Sequence, residues 1–189
     1  MPIGGYTQIF ERLLTGSDVK LQTDFAEIRH NASKIANQVI YTGCVDEYFN
    51  WIFGPLEYRS VRFEMVKYPH IENYQGNAVV NYTGADVPYT RSIEHKHFEY
   101  GTQPNTIVSF EYSTPYDHKV NDPSYPINND RNEALYKKYI NFGKTFGKTE
   151  PRVFFCGRLG SYKYMDMDVT VRAALDLSRR LFDRQRFAF

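Results

Sequence analysis

The sequence predicts a mixed α+β and α/β fold, in which part of an α/β layer is interrupted by an antiparallel β-sheet. Three observations point there. The N-terminal stretch mixes one helical repeat with short apolar strand runs. The middle holds four successive runs rich in β-branched and aromatic residues with no helix between them, which implies antiparallel pairing. The last third returns to helix, apolar strand and helix. A chain of 189 residues with 42 % apolar and 24 % charged content is long enough to bury a core and reads as globular and soluble.

Taken in order, Gly4-Gly5 breaks the chain and YTQIFERLLTG reads as a helix, with Ile9, Leu13 and Leu14 at helical spacing and Gly16 as its stop. VKLQTDF, from Val19, alternates and is expected to be a strand; QVIYTG is a short apolar strand closed at Gly43. DEYFNWIFG reads as a helix capped by Asp46. LEYRSVRFEMV, NAVVNYT, TRSIEHKHFEY and TIVSFEYS are the four sheet strands, bounded by Pro, Gly and Asn. A loop, YDHKVNDPSYPINND, leads to a helix starting at Asn129 or Asp130, then to the buried strand RVFFCG. A final helix is expected from Asp168 to Arg184, with Val171, Ala174, Leu175 and Leu181 as its apolar stripe. The domain boundaries that follow are 1–45 (α/β), 46–118 (antiparallel sheet) and 119–189 (return to the α/β layer).

Composition excludes several classes. A net charge of +1 argues against a nucleic-acid binder, while leaving local basic sites. No apolar run is long enough for a membrane span, and MPIGGYTQIF has no signal-peptide pattern. Cys44 and Cys156 lie far apart with no CxxC spacing and are expected to be reduced, buried thiols of a cytoplasmic protein. The 16 Tyr and 14 Phe exceed what a helical bundle needs, and a phenol, flat with a donor at its tip, suits sugar and phosphate sites as well as cores.

Several motifs invite a chemical reading. GKTFGKT, residues 143–149, has three residues between its glycines where a phosphate loop needs four, and it follows a helix, so it fails as a nucleotide loop. On a strand, His95 and His97 would share a face, but no third ligand stands at a metal-site spacing. Arg91 on the same strand either grips a phosphate or is a solvated edge charge. Tyr125, stiffened between Pro123 and Pro126, either lines a binding site or plugs a core edge. GRLGSYKYMDMD crowds Arg158, Tyr164, Asp166 and Asp168 between a strand and a helix N-terminus, where free backbone N–H groups favour an anion. Either aspartate could cap that helix instead.

Six segments, YTGCVDEYF, LEYRSVRFE, NYQGNAVVNYT, PYTRSIEHKHF, SYPINNDRN and GRLGSYKYMDMD, in this order and spacing, resemble the UDP-galactopyranose mutase family over nearly the whole chain, as its C-terminal half. The resemblance implies an FAD-binding α/β layer interrupted by an antiparallel substrate-binding sheet. It implies interconversion of UDP-galactopyranose and UDP-galactofuranose for cell-surface polysaccharide, with reduced FAD as the nucleophile at the anomeric carbon and no net redox change. By the same resemblance, Arg91 is the catalytic residue that binds the UDP diphosphate, joined by Tyr125, Tyr164 and Asn81 as substrate-binding residues. Arg158, Asp166, Met167 and Arg59 are implied at the cofactor. Departures are also plain. Cys44 replaces a usual Pro, Cys156 a usual Gly and Met165 a usual aromatic. No GxGxxG follows an early strand, and the family's helical bundle has no counterpart here, so Met1 falls past the middle of the family sequence. The expectation is a truncated chain, inactive alone and binding FAD weakly if at all. The alternatives are a non-catalytic sugar-nucleotide module, or one subunit of a split enzyme with an N-terminal partner chain or self-association.

Overall fold

A computed structural model describes residues 2–146 and 151–186. In chain order the elements are α1 (Thr7–Leu13), α2 (Phe25–Ile28), α3 (Ala32–Ile35), β1 (Gln38–Tyr41), α4 (Val45–Tyr48), β2 (Tyr58–Tyr68), β3 (Val79–Asn81), β4 (Arg91–Glu94), β5 (Thr106–Pro115), β6 (Tyr125–Pro126), α5 (Asp130–Phe146), β7 (Arg152–Phe155), α6 (Gly157–Gly160) and α7 (Met167–Arg186). They fall into two compact units, Met1–Thr23 with Val61–Thr114 and Asp24–Ser60 with Pro115–Phe189.

The first unit is the sheet β3-β4-β5-β2 with α1. β3, β4 and β5 pair antiparallel, and Asn81, Arg91 and Glu111 lie directly opposite one another in register. Val108 and Phe110 form the buried apolar centre, and Tyr89 packs its ring 4.7 Å from that of Phe110. Two expectations fail here. VKLQTDF forms no strand, and Val19 and Leu21 lie exposed: alternation alone does not supply a neighbouring ladder for the backbone groups. The strand expected through TRSIEHKHFEY stops at Glu94 and gives way to a 3-10 turn over His95–Glu99. Lys96, buried in that turn, donates to the carbonyls of Glu72 and Gln103, and Tyr100, at a φ of 55°, reverses the chain toward β5. His95 and His97 therefore do not share a strand face. α1 forms as expected and Gly16, at a φ of +84°, follows its end, but Ile9, Leu13 and Leu14 are exposed.

The second unit holds the parallel pair β1 and β7, in register from Gln38↔Arg152 to Tyr41↔Phe155. Its core is Cys44, Val45, Phe49, Leu56, Tyr58, Leu135, Tyr139 and Tyr162. The turns α2 and α3 went unforeseen; Asp24 caps α2 by accepting from Ala26 N at 2.8 Å. Asp46 is not the cap of α4. Cys44 holds that position, and Asp46 turns inward to accept from Leu56 N at 2.9 Å and the Tyr58 hydroxyl at 3.2 Å. Tyr125 and Pro126 form a two-residue strand rather than loop, paired to Arg59 and Tyr58 of β2. In α7 the packed face runs through Leu177 and the half-buried Leu181 and leaves Val171, Ala174 and Leu175 exposed, so of the stripe chosen from spacing Leu181 alone lies on it. Residues 143–146 of GKTFGKT lie in α5, and the rest of that motif lies outside the described residues.

Candidate functional site

In the sheet unit the register builds a polar rung across three strands. Arg91 Nε donates to Asn81 Oδ1 at 2.9 Å, on β3. On the other side its Nη1 stands 3.5 Å from Glu111 Oε2, on β5. Glu111 is itself held, since the single Thr90 hydroxyl proton lies within reach of its Oε1 at 3.2 Å and its carbonyl at 3.1 Å. Nη2 of Arg91 has no partner among the described residues, and the side chain keeps 39 % of its surface exposed against 11 % for Glu111. A guanidinium so held presents one free edge with two donors, the geometry that meets a phosphate oxygen.

In the second unit Tyr125 and Tyr164 stack, centroids 5.6 Å apart and planes 20° from parallel. The Arg158 guanidinium lies against both rings, 4.9 Å and 5.2 Å from their centroids. Its donors are spent on backbone: Nη1 on Ser124 O at 3.1 Å, Nε and Nη2 on Met165 O at 3.2 and 2.5 Å. Arg158 thus ties the residue before one tyrosine to the residue after the other. Both phenol hydroxyls are without partners among the described residues. Arg59, opposite Tyr125 in the β2/β6 register, shares its sheet face and also lines an open cleft of about 650 Å³ with Trp51, Tyr116 and His118.

The residues expected beside a flavin differ in how open they are. Asp166 and Met167, at the start of α7, are exposed, and the Asp166 carboxylate has no partner among the described residues, so both are open to a ligand. Arg158 is not: its hydrogen-bonding capacity is largely used within the chain. β1 and β7 end side by side, each running through a buried cysteine, Cys44 or Cys156, into a helical turn. A Cβ on Gly160 would come within 2.9 Å of the Tyr41 carbonyl, so that turn packs against β1 only because position 160 is glycine. Burial pushes the Cys44 thiol up to about 12, which makes it an inert core group.

Sequence reasoning missed Glu111 and Thr90, because nothing local marks them; only the β4/β5 register brings them to Arg91. Tyr162, in the same turn as Tyr164, is core, donating to Glu57 O at 2.6 Å. His95 contacts Ser109 Oγ at 2.7 Å and His97 lies beside Glu94, and no three metal-ligating side chains cluster among the described residues.

Fold and side chains define a mixed α/β protein with an oriented arginine on an antiparallel sheet and a clamped phenol pair next to a parallel one. The chain belongs to the UDP-galactopyranose mutase family, whose profile matches residues 1–164. It is 36 % identical over 177 residues to a probable UDP-galactopyranose mutase of Klebsiella pneumoniae, covering 93 % of this chain and 44 % of that protein. It is 33 % identical over 195 residues to the UDP-galactopyranose mutase of Mycoplasma genitalium, covering 96 % and 47 %. The dTDP-fucopyranose mutase of Escherichia coli matches at 30 % over 185 residues, covering 95 % and 48 %. The chain thus spans about half the length of these relatives.

Proposed function

We propose that this chain carries the sheet and the α7 turn of a flavin-dependent UDP-galactopyranose mutase, and that it grips the diphosphate of the nucleotide sugar. The observation that carries the reading is the stacked Tyr125–Tyr164 pair, fixed by Arg158 with both hydroxyls free. Two adjacent phenols held at backbone level can donate to neighbouring phosphate oxygens without reordering on binding. Arg91, in the sheet unit, is assigned a phosphate contact from the family resemblance and its own free edge. Its free Nη2 edge stabilises the diphosphate as it departs from the anomeric carbon and gains negative charge. Asn81, with its Oδ1 committed to Arg91 Nε, acts by holding that arginine. Reduced FAD, when bound, supplies the nucleophile toward the anomeric carbon. Asp166, Met167 and Arg59 would lie along it, and Arg158 would support that wall through the tyrosines.

The sequence holds no GxGxxG, the fingerprint that cradles a dinucleotide pyrophosphate, so within it that part of FAD is not held by the glycine motif. A second reading, one subunit of a split enzyme, is favoured by two features. Among the described residues the parallel sheet has two strands, where parallel sheets are normally extended and covered, and the Val171–Leu175 face of α7 is exposed. Absorption spectra with added FAD, before and after dithionite, and calorimetry with UDP test the proposal. UDP binding that Tyr164→Phe and Arg91→Lys each weaken by roughly ten- to a hundredfold, the size of one charge-assisted contact, supports it. UDP binding unchanged by both variants overturns it.

A further inference from the structure

The geometry points to Glu111 as the residue that positions Arg91 for a diphosphate, an inference that rests on the reading just given for Arg91. A carboxylate next to a phosphate site is at first sight a liability, because it repels the ligand. Three observations explain its presence. Glu111 lies directly opposite Arg91 in the β4/β5 register, so the ion pair is set by the sheet and not by a mobile loop. Its second oxygen is occupied by the Thr90 hydroxyl, which fixes the carboxylate plane. The guanidinium then has a neighbour on each side, Nε hydrogen-bonded to Asn81 and Nη1 in a looser 3.5 Å ion pair with Glu111, and Nη2 is left without a partner among the described residues.

A guanidinium with one anchor swings about its Cδ–Nε bond; with two anchors on opposite strands it does not. Holding the plane removes the ordering cost that a flexible arginine meets on binding. The carboxylate also partly cancels the arginine's charge, so lone monoanions gain little there, while a diphosphate that can engage Nη2 and further donors still gains. The rung therefore trades general anion attraction for orientation.

The test uses the 15N-labelled chain, with the Arg91 Nε–H signal assigned by its loss in Arg91→Lys. In the unsubstituted protein that proton should exchange slowly with water. Glu111→Ala should accelerate its exchange and weaken UDP and pyrophosphate binding about tenfold, although a negative charge has been removed from beside an anion site. Glu111→Gln, which keeps an acceptor, should restore slow exchange and bring affinity to within about threefold of the original. If Glu111→Ala loses the amide dispersion of the sheet, Thr90→Val, which keeps the Glu111 side chain and the Thr90 N–H to Glu111 O ladder bond and removes the hydroxyl from the carboxylate and the carbonyl, is expected to give the same directions at smaller size. Equal or tighter UDP binding in Glu111→Ala, or unchanged Nε–H exchange in both variants, overturns the inference. UDP and pyrophosphate that fail to bind the unsubstituted chain overturn the diphosphate reading instead, and the exchange measurement still decides whether Glu111 holds Arg91.

Discussion

Each unit buries a carboxylate, and the two are accommodated in opposite ways. Glu94, fully buried in the sheet unit, accepts from Tyr74 N at 3.0 Å, Gln75 N at 2.9 Å and Thr106 Oγ1 at 2.7 Å. His97 Nε2 stands 3.0 Å from it, short of good hydrogen-bond geometry. Burial pushes the Glu94 carboxyl up, but its donors more than reverse this and hold it down at about 2. Asp46, 2 % exposed in the second unit, has the Leu56 amide and the Tyr58 hydroxyl, and there burial wins and its carboxyl is raised. The difference lies in the surroundings. Glu94 sits where a loop offers consecutive amides, whereas Asp46 sits among Val45, Leu56, Tyr58 and Tyr139, an aromatic core that excludes water and offers few donors.

The largest expected effect separates these two roles. Glu94→Ala leaves two amides and a hydroxyl unpaired inside the sheet unit and should cost roughly 3–5 kcal/mol in urea denaturation followed by the sheet's circular dichroism. Asp46→Asn keeps one acceptor oxygen for the Leu56 amide, turns an NH2 donor toward the Tyr58 hydroxyl oxygen and removes a poorly solvated charge, so at neutral pH it should change stability by less than about 1 kcal/mol. Equal losses would break the comparison, because both carboxylates would then serve as equivalent anchors.

Acid should separate them by sign. Glu94 has a folded value near 2, below its ordinary 4.5, so its contribution is present above the ordinary value and is lost as pH falls toward 2. Asp46 has a folded value above its ordinary 3.8, so its cost is present when charged and is relieved as pH falls through that raised value. Hydrogen exchange between pH 5 and 2.5 should therefore show the Tyr74 and Gln75 amides losing protection while the Leu56 amide keeps its own. Simultaneous loss at all three would mean that the units unfold together and that the carboxylates do not govern acid stability separately.

What the sequence made legible follows the same divide. Elements set by local pattern were readable: β2, β3, β5, α5 and α7 stand close to where spacing placed them, and β4 starts where expected. Tyr125, Tyr164 and Arg158 were marked locally, by Pro stiffening and a crowded turn, and the structure brings all three together. The Arg91–Glu111 pair was not, since it depends on strand register between positions twenty residues apart. Nor was the end of β4, where the demand of Lys96 for distant carbonyls outweighs β-propensity. The α7 stripe went astray because two apolar faces overlap on that helix, and spacing cannot say which of them meets a core.

The smallest expected effect on stability compares two phenols of the second unit. Tyr139 is wholly buried; its hydroxyl donates to Gly54 O at 2.7 Å and accepts from Phe53 N at 3.2 Å. Tyr139→Phe strands both groups and should cost roughly 1–3 kcal/mol. Tyr164 is 58 % exposed and its hydroxyl has no described partner, so Tyr164→Phe keeps the stack on Tyr125 and should change stability by less than about 0.5 kcal/mol. A hydroxyl that contributes nothing to the fold, on a ring held in place by its neighbours, is left available for a ligand. If Tyr164→Phe destabilises the chain as much as Tyr139→Phe, the phenol belongs to the scaffold, and the diphosphate grip loses one of its two tyrosine donors.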